Sequence, residues 1–339
     1  LTDPLDKASV SRGDPPSASG WARLPTPIEP FLPASESTGG CQILIKRDDL
    51  TGSLLLGNKI RKLDFFVSHI REQGAEVLIT CGGVQSNHAR AVACLAARMG
   101  LKSHLVLLGR EGGLPDGNLF LDKMVGASFR FTNPRYYERI GEIMLEEAER
   151  FKRSGVTPYI IPEGGSNEIG VWGYVKAATE IMVQVKEMRT QIDAIVVPVG
   201  TGGTYAGLLI GSKSFDWEVK IYGYNVRFTA QYFVDRTLKL IRDFERRYEV
   251  RTGIRKSEIT IIDGYVGPGY AKTYPREISF IREIAQSTGI LLDHVYTGKT
   301  LLGLVDSLRK GRFPGHKRIL FIHTGGLWGL YAAKERFFT

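Results

Sequence analysis

The chain is poor in cysteine. Cys41, Cys81 and Cys94 are the only three among 339 residues, and no two of them form a CxxC pair. An odd number argues against a disulfide framework and points to a reducing compartment, the cytoplasm. No apolar run approaches the roughly 20 residues of a membrane span, so a membrane is not expected as a partner. The opening "LTDPLDKASVSRGDPPSASG" lacks the apolar core of a signal sequence and is rich in Ser, Pro and Gly, which predicts a mobile tail over 1–20. Also missing are a Walker loop, a full GxGxxG fingerprint and any internal repeat.

What is present is an ordinary globular composition, 43% hydrophobic and 24% charged, with length for about two domains. The net charge of +9 is spread along the chain, and its densest group, "RDFERRYEVRTGIRKSE" (242–258), has acids interleaved. That distribution disfavours nucleic acid and favours an anionic small molecule or cofactor.

From residue 60 onward, short β-rich apolar runs alternate with helical patterns. The strand candidates are 76–80, 103–109, 128–132, 158–162, 194–200, 220–226 and 318–326. The helix candidates are 86–100, 118–126, 135–153, 171–188 and 204–213, with a final helix after the last strand. Apolar runs buried on both faces and joined by helices imply an α/β fold with parallel sheets. Two α/β units fit, with "PEGGSNEIG" (162–170) as the crossing between them.

In open α/β sheets ligands bind on the loops at the carboxyl ends of strands. In "VPVGTGGTYAGL" (197–208) a buried strand runs into Gly200, Thr201, Gly202, Gly203 and Thr204 at a helix start. Such a loop suits a phosphate, because glycines admit close approach of backbone N–H groups and the helix dipole favours a dianion. In "TCGGVQSNHAR" (80–90), Ser86 and Asn87 serve either to cap the following helix or to hold a carboxylate or ring oxygen. His88 reads as a helix-surface histidine. Tyr270 in "VGPGYAKTYP" and Tyr296 in "HVYTGKT" lie in Gly-rich loops rather than apolar stripes. Thr324 ends a buried strand in "FIHTGGLWG", and Lys299 at a helix start reads as solvated.

"GNKIRKLDFF" (57–66) places Lys59 and Lys62 at the mouth of an apolar helix, where the backbone dipole disfavours positive charge. A lysine, a phosphate cup and polar groups for a ring between them are the needs of pyridoxal 5′-phosphate. A lysine occupied as an imine also removes the electrostatic objection. The Gly57-Asn58 turn favours Lys59 for that role, with Arg61 and Lys62 assisting electrostatically.

The blocks "GNKIRKL", "GGVQSNHAR", "PEGGSN", "VGTGGTYAGL", "GPGYA", "LLDHVYTGKT" and "HTGG" resemble the D-cysteine desulfhydrase and 1-aminocyclopropane-1-carboxylate deaminase family, in order from about residue 24 to 335. The resemblance implies the two-domain fold of the tryptophan-synthase β-subunit class (PLP fold type II), with open parallel sheets and helices on both faces. A small domain, 57–170, would be inserted into a large cofactor-binding domain made of 21–56 and 171–339. It further implies that Lys59 is the Schiff-base lysine and that Asn87 bonds the cofactor's 3′ oxygen. Ser86, Tyr270 and Tyr296 would then lie on the substrate side, Gly200 to Thr204 would hold the phosphate, and a homodimer is expected. Thr297 and Thr324 stand at the expected pyridine edge, where deaminase members carry Glu and an apolar residue. Hydroxyls there imply α,β-elimination from a small amino acid, D-cysteine giving pyruvate, sulfide and ammonia. The alternatives are the cyclopropane deaminase, giving 2-oxobutanoate and ammonia, a non-catalytic PLP-binding protein, and, more distantly, a nucleotide-binding oxidoreductase. Leu56, Trp328, Gly329 and "NVRFTAQYF" (225–233) depart from the family pattern, and Trp328 is expected to reshape the pocket.

Overall fold

The computed structural model describes residues 16–32, 38–53 and 57–338. Leu56 and residues 1–15 of the expected tail lie outside this set. Residues 19 and 20 of that tail are tied down, since the amides of Ser19, Gly20 and Trp21 donate to the Asp64 carboxylate at 3.1–3.2 Å.

Among the described residues the strands form two sheets. The strands are β1 Ile28–Leu32, β2 Gln42–Lys46, β3 Val77–Gly83, β4 Lys102–Leu108, β5 Ser128–Thr132, β6 Pro158–Ile160, β7 Ala194–Val199, β8 Lys220–Asn225, β9 Thr260–Ile262 and β10 Arg318–Ile322. The larger sheet has the order β1-β2-β10-β7-β8-β9 and the smaller β5-β4-β3-β6. All pairings are parallel except β1 with β2. The sequence reading missed this antiparallel strand pair. Pro30 inside β1 weakens its strand signal, yet proline is tolerated there because β1 is an edge.

Two helices differ from expectation. The pattern at 135–153 is broken into Pro134–Tyr137 and Ile140–Arg153, each with its own start. The basic group at 242–258 begins on the last turns of a 19-residue helix, Ala230–Tyr248, and continues past its end; the helix buries Phe233, Thr237, Leu240, Ile241, Phe244 and Tyr248. Spacings of three and four put those residues on one stripe against the core.

The helix Asn58–Leu63 has only six residues, too few to be stable alone, and tertiary contacts fix it. The Arg61 guanidinium is buried between Asp48 and Glu180, with five hydrogen bonds of 2.8–3.0 Å to their carboxylates and to Thr26 Oγ1. Lys46 Nζ reaches Glu180 Oε1 at 2.5 Å, and the Tyr174 hydroxyl donates to Asp48. Burial alone would raise the Asp48 and Glu180 carboxyls, but the neighbouring Arg61 and Lys46 hold both below their ordinary values of 3.8 and 4.5.

Removing one partner of such a network leaves uncompensated buried charge. Arg61→Met should therefore lower unfolding stability in urea at pH 7 by about 3–5 kcal/mol. Because the folded state binds fewer protons at Asp48 and Glu180 than the unfolded state, their contribution is complete above about pH 5 and declines as pH falls through their lowered values. The difference between wild type and variant should shrink in acid. An equal difference at pH 7 and pH 3.5 would contradict the network's charge state.

Candidate active site

A pocket opens between the sheets at the carboxyl ends of β3 and β7, lined by Gly82 and Gly83 on one side and by Pro198 and Val199 on the other. This is where an open parallel sheet presents its ligand loops. The same cavity gathers Lys59, Ser86, Asn87, Gly200, Thr201, Gly202, Thr204, Tyr270, Tyr296 and Thr324 from six separate stretches of chain.

Lys59 is the only lysine among the lining residues. Its position depends on Gly57, whose φ of +92° and close approach to the Thr324 carbonyl leave no room for a side chain, a Cβ lying 2.7 Å from that oxygen. The Asn58 amide donates to the same carbonyl at 3.1 Å, and Asn58 Nδ2 donates to Thr204 Oγ1 at 3.0 Å. Lys59 Nζ donates to Asn58 Oδ1 at 2.8 Å and stands 6.0 Å from the centre of the Tyr296 ring. Burial pushes its ammonium down from 10.5 to about 8, with Asp293 opposing the shift and Arg90 assisting it. Lys62 points elsewhere. Its Nζ donates to Gly164 O and Ser166 Oγ, and burial, then Lys59, hold it well below its ordinary value.

The helix Gly203–Ser214 begins against the pocket with Gly202 at its N-cap, φ +88°, and with no side-chain cap on its first amides. Uncapped amides at a helix start are an anion site, and Thr201 and Thr204 add hydroxyls beside it. Gly203, expected in this cup, lies outside the lining. A Cβ on it would meet Ser166 Oγ at 2.6 Å and Lys62 Nζ at 3.0 Å, so a glycine is needed there to bring the helix start against those side chains, while its backbone amide remains among the uncapped ones.

Ser86 Oγ accepts from the Ala89 amide, which makes it the N-cap of the helix Asn87–Arg98. Asn87 Oδ1 accepts from Asn118 Nδ2 at 3.0 Å, leaving the Asn87 Nδ2 donors for the pocket. The Tyr270 and Tyr296 hydroxyls meet at 2.5 Å. Thr324 lines the cavity, and its Oγ1 has no hydrogen-bond partner among the described residues.

Thr297 is a correction. It is fully buried outside the lining, and its hydroxyl donates to Asp293 Oδ1 at 2.7 Å. Asp293 also accepts the amides of Val295, Tyr296 and Thr297, so the pair closes the start of the helix Thr297–Arg309. Two further readings fail. Lys299 is buried rather than solvated, and its Nζ donates to the carbonyls of Val266, Gly269 and Lys272 around Tyr270. His88 is not on the surface; it lines the pocket with Nε2 2.9 Å from Thr80 Oγ1. Trp328 lies outside the lining, its ring 5.9 Å from that of Tyr331. The sequence reading also missed Glu163 and Arg227, which line the pocket as an ion pair of 3.0 Å.

An amine of lowered pKa facing an uncapped helix start fits a cofactor that carries both an aldehyde and a phosphate. The site thus defines a pyridoxal-phosphate enzyme. The family described as "Pyridoxal-phosphate dependent enzyme" matches residues 22–325, and the chain belongs to it. The chain is 39% identical over 343 residues to the bifunctional D-cysteine desulfhydrase/1-aminocyclopropane-1-carboxylate deaminase, mitochondrial, of Arabidopsis thaliana, covering 97% of this chain and 82% of that protein. It is 38% identical over 319 residues to the D-cysteine desulfhydrase of Klebsiella pneumoniae, covering 91% and 93%. A crystal structure described as an ACC deaminase homologue superposes with a TM-score of 0.86 at 36% identity, covering 94% of each chain. The cofactor is pyridoxal 5′-phosphate.

The contrast between the two lysines is measurable without cofactor. Lys59 should acylate with an amine-directed reagent half-maximally near pH 8, against about 10.5 for exposed lysines. Lys62 should be protected at all pH values at which the chain stays folded. Peptide mapping by mass spectrometry across pH 6–11 reads both, and equal labelling of the two would contradict the geometry.

Proposed function

We propose that this enzyme catalyses α,β-elimination on a small amino acid in the manner of a D-cysteine desulfhydrase, converting D-cysteine to pyruvate, sulfide and ammonia. The observation that carries the reading is the Lys59 amine, of lowered pKa, in one cavity with the uncapped helix start at Gly203 and the unpartnered Thr324 hydroxyl. Bound pyridoxal phosphate supplies an electron sink for charge developing at the substrate α-carbon.

The residues divide the remaining work. Thr201, Thr204 and the amides after Gly202 bind the phosphate. Asn87 Nδ2 donates to the ring oxygen, and Ser86 lies beside the substrate carboxylate at the start of the helix Asn87–Arg98. Lys59 Nζ would hold the cofactor's aldehyde carbon, and it is the base placed to take the substrate's α-proton. The Tyr270–Tyr296 pair flanks the substrate and can hold a proton between its oxygens. Thr324 offers the ring nitrogen a hydroxyl, and Glu163, the one carboxylate among the lining residues, is paired with Arg227. A neutral partner leaves the sink moderate, which suits a substrate whose β-substituent departs readily as an anion.

The large and small sheets would belong to domains 21–56 with 171–339 and 57–170 respectively. Three buried free thiols suit a reducing compartment, and the assembly is read as a homodimer. Among the described residues no helix is long and apolar enough to cross a membrane.

Opening an unactivated cyclopropane demands more stabilisation at the α-carbon than expelling sulfide. We expect kcat/KM for D-cysteine to exceed that for 1-aminocyclopropane-1-carboxylate by at least about a hundredfold, about 2.7 kcal/mol at the barrier. Measuring 2-oxo acid release from both decides it. A preference for the cyclopropane would assign the deaminase activity instead, and no turnover of any amino acid would leave a cofactor-binding protein.

A further inference from the structure

The Arg227–Glu163 pair belongs to no role given above, and its Arg227 sits in the segment 225–233 that departs from the family pattern. Arg227 Nη1 donates to Glu163 Oε1 at 3.0 Å, and the Tyr137 hydroxyl donates to the same oxygen at 2.7 Å. The break between the helices Pro134–Tyr137 and Ile140–Arg153 comes directly after this tyrosine. The guanidinium lies over three rings, 4.3 Å from the centre of Phe228, 5.4 Å from Tyr270 and 5.6 Å from Tyr137. It is therefore held in place rather than free on a flexible stem.

Both partners remain accessible, with side-chain exposures of 19% for Arg227 and 34% for Glu163. Among the described residues no hydrogen bond uses Nε or Nη2 of Arg227 or Oε2 of Glu163. The pocket wall thus offers an unspent donor edge beside an unspent acceptor. Its location is specific too. Lys59 stands by the Tyr296 ring, Arg227 by the Tyr270 ring, and the two phenols are bonded to each other. Lys59 and the ion pair thus stand against opposite members of the bonded Tyr270–Tyr296 pair, within one cavity.

We propose that Arg227 and Glu163 recognise a second, zwitterionic amino-acid head. The substrate class is two α-amino acids joined through sulfur at the β-carbon. This rests on the elimination reading and extends it. A lone distal anion would meet Glu163, and a lone distal cation would meet Arg227. A carboxylate and an ammonium on one carbon satisfy both at once, the carboxylate taking the guanidinium edge and the ammonium taking Oε2. The chemistry is the same elimination. Lys59 takes the α-proton, the Cβ–S bond breaks, and its electron pair leaves with the sulfur. With lanthionine and one water the products are cysteine, pyruvate and ammonia.

Binding tests this apart from turnover. Calorimetry on the pyridoxal-phosphate-loaded protein would compare meso-2,6-diaminopimelate with 2-aminoadipate and lysine. The first has both heads and carbon in place of sulfur, so nothing can be expelled; the others carry only a distal carboxylate or a distal ammonium. Diaminopimelate should bind at least about tenfold tighter than either. Arg227→Gln and Glu163→Gln should each shrink that margin at least about fivefold, so failure of one variant to fold leaves the other to decide. Tightest binding of 2-aminoadipate, a flat order, or a margin that survives both substitutions would overturn the proposal. Turnover of β-chloroalanine by the unsubstituted protein separates the two claims. Its absence would remove the elimination reading and this inference with it, whereas its presence beside a flat binding order would remove this inference alone.

Discussion

The site depends on how a six-residue helix is held. Asn58–Leu63 cannot persist by its own backbone bonds, yet it carries the one lysine that lines the pocket, the amine proposed to hold the cofactor. Three of its neighbours to Lys59 point in three directions, and each is fixed by a different part of the molecule. Asn58 is bonded to the loop after β10 and to the helix start at Thr204. Arg61 is buried between the carboxylates of Asp48 and Glu180. Lys62 is locked onto the turn at Gly164 and Ser166. With these satisfied, Lys59 is the residue left over to face the cavity. The network is thus less a source of net stability than a means of fixing one orientation, since buried ion pairs gain little over apolar packing.

The same economy organises the pocket. Groups whose hydrogen bonds are complete inside the protein position others: Ser86 starts a helix, Asn118 turns Asn87, Asp293 and Thr297 close the helix behind Tyr296, and Lys299 gathers the carbonyls around Tyr270. Groups with unspent atoms face the cavity: the amides after Gly202, the Thr324 hydroxyl, and the free edges of Arg227 and Glu163. The first set explains rigidity and the second marks where ligand must bind.

Much of this was legible in the sequence because strand-to-helix loops in parallel sheets carry function, and such loops have a local signature. Gly57, the 200–204 stretch and Thr324 lie in such connections, and Lys59 and Asn87 lie on the first turn of the helix that follows one. The strand from 128 to 132 was read with its observed bounds, and helix 171–188 within a residue at each end. What escaped depends on contacts distant in sequence. His88 looks like a surface residue until the Thr80 hydroxyl on β3 is placed beside it, and Lys299 looks solvated until the loop at 266–272 folds over it. Thr297 was assigned by alignment of motif, but its neighbour four residues earlier claims its hydroxyl. Arg227 and Glu163 lie 64 residues apart and share no motif. The helix Ala230–Tyr248 was obscured because its charged face outweighs the apolar stripe in composition.

The central claim is that Lys59, and no other lysine, is covalently bound to the cofactor. Borohydride reduction of the pyridoxal-phosphate-loaded protein, followed by peptide mapping, tests it most directly. The account predicts a single reduced adduct on Lys59, with none on Lys62 or Lys299 although both are buried close by. A reduced adduct on either of those lysines, or bound cofactor that leaves every lysine unmodified, would contradict it.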